Sequence, residues 1–205
     1  MEKMIRRLAM FFIGINLLAA GIILNTRSDL GVAAFTSFSY ALSKIAGISL
    51  GSASVLVYLA LIGVQFLLLQ KVSVPVLLQI PFSFVFGILT DFYDFIVPEM
   101  ALSLWLRFLL LAAAIWLTSI GVYLYTNCRL VMTPVEGIVQ TIADKWSFKF
   151  SLVKNCFDLF MLLLTVSFCL LLRQPVFGIG IGTVLSALIL GRMIGIYEKL
   201  IGRKG

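Results

Sequence analysis

Residues 21–34 read GIILNTRSDLGVAA, and residues 121–134 read GVYLYTNCRLVMTP. Each stretch opens as the end of an apolar run and then breaks into polar residues, Asn25 to Asp29 and Thr126 to Arg129. A second, shorter apolar segment comes after each break. Gly21, Thr26 and Leu30 recur as Gly121, Thr126 and Leu130, an offset of 100 residues with no gap. The same offset carries Arg7 to Arg107 and Pro75 to Pro175. Few residues are identical between the two copies. The order of apolar runs and polar breaks is the part that recurs, and that order predicts an internal duplication.

On either side of the breaks, six runs approach the roughly 20 apolar residues that a helix needs to cross a bilayer. They are Leu8–Leu24, Ile48–Leu69, Val74–Ile96, Leu104–Tyr125, Leu152–Leu172 and Pro175–Tyr197. Leu30–Ala46 and Val131–Trp146, the segments after the breaks, are shorter and more polar. As helices they reach about 24 Å, short of the ~30 Å hydrocarbon core. Each is therefore expected to be re-entrant or interfacial. The predicted fold is all-α: one polytopic transmembrane helix bundle over residues 1–205. It is built of two tandem repeats, 1–100 and 101–205, each with three long spans and one short helix.

Composition agrees. Of 205 residues, 61% are hydrophobic and 12% charged, where soluble domains run about 45–50% and 25%. A fold this small has too little interior to hide so much apolar surface, so lipid is the expected solvent. The net charge of +7 comes from basic residues that flank apolar runs. That is topogenic charge rather than a nucleic-acid stripe, and no nucleic-acid partner is expected. With no histidine and three cysteines, Cys128, Cys156 and Cys169, in no CxxC pair, neither a metal site nor a disulfide framework is indicated.

The positive-inside rule places both termini in the cytoplasm. With three spans per repeat, Arg27, Lys44, Arg107 and Arg173 lie outside and the remaining 12 of 16 basic residues inside. With four spans per repeat, Arg27, Lys71, Arg129 and Arg173 lie outside, again leaving 12 inside. Charge does not choose between the two; the length of the short segments favours three plus three.

At the first break the chain resembles a known family. Gly21-Ile22-Ile23-Leu24 together with Ser28-Asp29-Leu30-Gly31-Val32-Ala33-Ala34 is similar to the YczE/YyaS/YitT family of bacterial membrane proteins. Those proteins carry a Leu-Gly-x-x-Pro type of break after their first helix. Ile48-Ser49-Leu50-Gly51, and Gly182-Thr183-Val184-Leu185-Ser186-Ala187 with Gly191, resemble the same family. Ala34 stands where that pattern has proline; the second copy keeps it as Pro134 in Thr133-Pro134-Val135-Glu136. The resemblance implies a protein of the bacterial inner membrane. It brings no established activity and no catalytic residues.

Several residues carry candidate chemistry. Glu136, Gln140 and Asp144 share one helix face with Thr133. That face either lines a polar cavity or lies in water on an interfacial helix. Asp158 and Asn155 share a face inside the Leu152–Leu172 run. A charge in a span usually faces protein or water and marks a pathway, although Lys154 stands one turn away as a partner. Arg27 and Arg129 sit in the breaks, ahead of helix N-termini that favour anions. Gln65 and Gln79, inside long helices, read as interhelical hydrogen bonds. Gly178, Gly182, Gly191 and Gly195 have small-residue spacing that suits close helix packing.

The expected function is a small-solute transporter or permease, its site between two pseudo-symmetric halves near Arg27, Arg129, Glu136, Gln140, Asn155 and Asp158. An anionic solute would suit the arginines. The alternative is a membrane accessory or regulatory protein that acts through helix or lipid contacts. No nucleophile elbow, metalloprotease motif or nucleotide loop is present, so neither catalysis nor a cofactor is expected. The chain's small size is compatible with a homodimer.

Overall fold

The computed structural model describes residues 2–71, 73–128 and 130–201. Among these residues the chain is all helix, without strands. The elements are α1 (Glu2–Ser28), α2 (Ala34–Ala46), α3 (Leu50–Leu69), the single turn α4 (Val74–Leu77), α5 (Gln79–Ile96), α6 (Leu104–Cys128), α7 (Pro134–Trp146), α8 (Phe150–Leu171) and α9 (Ile181–Ile201). Five stretches are long and apolar enough to cross a bilayer: Met4–Ser28, Leu50–Leu69, Val74–Ile96, Leu104–Cys128 and Phe150–Leu171. Phe95, Trp105, Leu171 and Leu200 present their side chains almost bare, which lipid tolerates and water does not. This is a multi-pass membrane protein.

The element boundaries repeat at an offset of 100. α1 ends at Ser28 and α6 at Cys128; α2 starts at Ala34 and α7 at Pro134; α3 starts at Leu50 and α8 at Phe150. α2 and α7 have 13 residues each, about 20 Å of helix. Both end on a left-handed residue, Gly47 (φ 66°) and Ser147 (φ 54°). α7 starts where its sequence dictates. Thr133 accepts the Glu136 N–H at 3.2 Å, and Pro134 occupies the first helical position, where its missing N–H costs nothing. α2 starts at the matching place although Ala34 replaces the proline.

One span departs from the expected pattern. The run Pro175–Tyr197 predicts a sixth long helix, but α9 begins only at Ile181. Gly178 takes φ 75° and its carbonyl accepts the Val32 N–H at 2.8 Å, while the Gly182 N–H donates to Leu30 O at 2.6 Å. These bonds commit the segment to the break after α1 instead of to a further helical turn.

The chain forms two compact units, and each draws on residues from both the first and the second hundred of the chain. Unit 1 comprises Met1–Ala33, Phe92–Leu130 and Gly178–Gly205. Its core is the antiparallel pair α1 and α6, whose backbones nearly touch. A Cβ on Gly14 would stand 2.8 Å from Tyr125 N, and one on Gly121 would stand 2.6 Å from Leu18 N. At one end the Arg7 guanidinium donates to Cys128 O from Nε (3.0 Å) and Nη2 (2.6 Å). At the other, Arg107 pairs with Asp29 at 2.8 Å. α9 runs along α6, with the Tyr123 and Tyr197 rings edge to face at 5.8 Å.

Unit 2 comprises Ala34–Asp91 and Val131–Phe177. α3 and α5 form its antiparallel hairpin. Gly51 packs on Gly87, and the Tyr58 and Phe86 rings lie 5.9 Å apart. Asp91 of α5 caps α3, accepting the Gly51 N–H and the Ser49 hydroxyl, both at 2.7 Å. A carboxylate there meets the positive end of the helix. α2 joins α8 through Ser37 and Thr165, 2.9 Å apart, and through the rings of Phe38 and Phe168.

Candidate functional site

The polar centre of unit 2 is a pair of glutamines. Gln65 of α3 and Gln79 of α5 lie level because the hairpin folds midway between them. Both are buried, at 0% and 2% exposure, so in lipid their amides must find partners within the protein. They find each other: Gln65 Nε2 donates to Gln79 Oε1 at 2.8 Å, and Gln79 Nε2 returns a bond to Gln65 Oε1 at 3.2 Å. Gln65 Nε2 also reaches Pro134 O, in the first turn of α7, at 3.3 Å.

Gly137 lets α7 come this close. A Cβ there would collide with Gln79 Nε2 and stand 2.8 Å from Gln65 Oε1. Any larger residue must part the amides or push α7 away.

Beside the amide pair a cleft of about 540 Å³ opens, lined by Gln65, Gln79, Lys71, Met132, Gln140, Asp144 and Lys145 among others. The volume suits a small solute. Its floor is neutral and its rim is charged. Gln140 Nε2 donates to Asp144 Oδ1 at 2.7 Å, which holds the carboxylate along the helix face. Lys145 Nζ donates to Leu68 O at 2.6 Å and so binds the last turn of α3. Glu136 stands one turn before Gln140, half-buried, and Tyr58 of α3 lies within electrostatic reach of it.

The residues expected to share one site are distributed differently. Gln140 lines the cleft and Glu136 lies on the same helix. Asp158 forms an ion pair with Lys154 one turn away, and the Lys154 ammonium lies over the Phe35 ring at 5.4 Å. The charge that the membrane would penalise is thus matched within α8. Asn155 is exposed. Arg27 belongs to unit 1, where it bonds Asp94 Oδ1 (2.8 Å) and Val97 O (2.7 Å) and approaches Glu99 at 3.7 Å. Arg129 lies outside the described residues.

The glycines expected to pack helices also divide. Gly182 fits closely, since a Cβ would stand 2.7 Å from Gly31 O. Gly178 is in no helix, and Gly191 and Gly195 have nothing within 4 Å of a Cβ. The close helix contact uses Gly14, Gly21 and Gly121 instead, with α1 glycines seven apart rather than four.

A family model described as a family of unknown function (DUF6198) matches residues 5–199. The chain belongs to DUF6198. It is similar to the uncharacterized protein YyaS of Bacillus subtilis (strain 168), 28% identical over 195 residues that cover 93% of this chain and 92% of that one. The chain is thus YyaS-like, in a family of unknown activity. No solved structure matches this DUF6198 chain.

In the sequence Gln65 and Gln79 stand as two separate interhelical hydrogen-bonding residues, and the structure makes them a pair. Their spacing carried the signal: two amides at equal distances from a short turn, on helices otherwise apolar, lie level in a hairpin. Gly137 carried a second, a helix interior glycine among larger residues.

Proposed function

We propose that this protein is a small-solute transporter or permease of the bacterial inner membrane, with both termini in the cytoplasm and its solute site in the cleft of unit 2. The observation that carries the reading is the buried Gln65–Gln79 amide pair beneath a charged rim. Buried amides hold a polar solute through hydrogen bonds without the cost of burying a charge. The rim lysines, Lys71 and Lys145, favour a solute that bears a negative group, and Asp144 tolerates one that also bears a positive group.

Two features support transport over a purely structural role. The element boundaries that recur at an offset of 100 fit an internally duplicated transporter, a common architecture in which the site lies where the repeats meet. The cleft takes α3 and α5 from residues 1–100 and α7 from residues 101–205. The short helices α2 and α7 fit the discontinuous elements that such proteins use near their sites. We read the protein as a non-enzyme.

The test is flux in proteoliposomes across a panel of small polar solutes, anions included. Wild type moves one class. Asp144→Asn and Gln140→Ala lower its flux by at least about tenfold, the effect of about 1.4 kcal/mol, while the melting temperature is kept. Glu136→Gln lowers it less. Flux indifferent to all three substitutions would sink the reading and favour an accessory protein. Labelling Lys71 from one face of the membrane tests the orientation, since three spans per repeat put it inside.

A further inference from the structure

The turn between α7 and α8 reads Lys145-Trp146-Ser147-Phe148-Lys149-Phe150 and carries rings and ammonium groups side by side. All of it is exposed, with Trp146 at 49%, Phe148 at 56% and Phe150 at 42%. The turn is fixed. Ser147 is left-handed (φ 54°), and its N–H and that of Phe148 both donate to Ala143 O. It is also tied to the end of α3, where Lys145 Nζ donates to Leu68 O. Lys71, just past α3, lines the same cleft as Lys145. One end of unit 2 therefore gathers Lys71, Lys145 and Lys149 against the Asp144 carboxylate, which Gln140 already bonds. Lys154, further along, is matched by Asp158. Among the described residues Lys71 and Lys149 have no ion pair. The turn 100 residues earlier is closed by the protein itself. There Asp91 accepts from Gly51 and Ser49, Ser43 Oγ donates to Ile48 O at 2.8 Å, and Leu50 is buried. Lys149 and Phe150 stand where Ser49 and Leu50 do, and α8 has neither a side-chain cap nor an acid in its first turn.

We infer that this end of unit 2 is a docking surface for anionic phospholipid. The rings of Trp146, Phe148 and Phe150 enter the bilayer interface, and the ammonium groups of Lys71 and Lys149 meet the lipid headgroups. Depth supports the assignment. The apolar spans of α3 and α8 end at Leu69 and begin at Phe150, so the turn lies where unit 2 leaves the hydrocarbon. Aromatic rings at span ends settle at headgroup level, and lysine stems carry their charge on to the phosphates. Charge selects the lipid. A zwitterionic headgroup brings an ammonium of its own, which the lysines repel, whereas an anionic headgroup does not. A soluble anion would meet the lysines and leave the rings uncovered.

The test needs no flux and does not depend on the transport reading. Trp105 and Trp116 are both exposed, so Trp105→Phe and Trp116→Phe leave Trp146 as the one tryptophan of the full-length chain. That protein is reconstituted in vesicles of phosphatidylglycerol and phosphatidylcholine in equal parts, with bromine on the acyl chains of one lipid at a time. Brominated phosphatidylglycerol is expected to quench Trp146 more than brominated phosphatidylcholine, as a preference of at least about fivefold. Lys71→Glu with Lys149→Glu, both at exposed positions, lowers the preference below about twofold, while Lys149→Arg keeps it. Inorganic phosphate, at an ionic strength matched by sodium chloride, leaves the preference unchanged. Equal quenching by the two lipids, a preference that survives Lys71→Glu with Lys149→Glu, or its loss to inorganic phosphate would overturn the inference.

Discussion

The two polar breaks, 100 residues apart in sequence, are built for different ends. The break after α1 is closed by the chain itself. Val32 and Leu30 exchange bonds with Gly178 and Gly182, and Val32 is 2% exposed. The break after α6 is open. Met132, the counterpart of Val32, is 52% exposed and lines a cleft with Asp144, Lys71 and Lys145. The helix boundaries recur at an offset of 100 residues, but what they enclose differs.

The largest effect should come from prising open the closed break. Gly31 has φ 110°, and a Cβ there would stand 2.5 Å from Gly180 N. Gly31→Leu should cost at least about 3 kcal/mol, from backbone strain and overpacking together, read as lost folded yield or a lowered melting temperature. Its counterpart already carries a branched side chain, and Val131→Leu should cost less than about 1.5 kcal/mol. Equal costs at the two positions would contradict a closed first break beside an open second one.

Next comes the wall of the open break. Gly137→Leu drives a side chain into the amide pair and should cost about 2–3 kcal/mol. Gln65→Leu leaves Gln79 unpaired in an apolar surround and should cost about 1–3 kcal/mol, whereas the double change Gln65→Leu with Gln79→Leu should recover most of it. Under the transport reading that double variant melts like wild type and still loses flux.

The smallest effect belongs to the rim of unit 1. Arg107→Ala removes an ion pair whose partner Asp29 is 72% exposed, worth about 0–1 kcal/mol. Thermal melts at low and high salt would register it.

How much of this the sequence disclosed depends on the distance over which the information acts. The breaks, the short helices and the start of α7 are local. Polar residues interrupt an apolar run, and Thr133-Pro134 caps the next helix, so a single pass along the chain finds them. The Lys154–Asp158 pair is equally local, at one helical turn. The start of α9 is not local, because it is decided by Leu30 and Val32 nearly 150 residues earlier. Glycine spacing misled for the same reason. Gly191 and Gly195 have the right period but nothing close beside them, whereas Gly14 and Gly21 pack because α6 presents Gly121 and Thr118 to them. For the site, the polar face of α7 was legible from its period, and Gln140 and Asp144 do line the cleft. The floor was not, since Gln65 and Gln79 had to be paired across a hairpin and then met by Gly137. Arg27 read as an anion ligand because its partners, Asp94 and Val97, are some 70 residues away.

Thiol labelling of the two counterpart positions tests the contrast between the breaks most directly. Val32→Cys and Met132→Cys are placed singly in a Cys156→Ser background, reconstituted, and exposed to a small polar thiol reagent on both faces of the membrane. Met132→Cys is expected to react in the folded protein, and Val32→Cys only after denaturation. Equal reactivity at the two positions, or protection of Met132→Cys by surrounding lipid, would contradict a closed first break and an open second one.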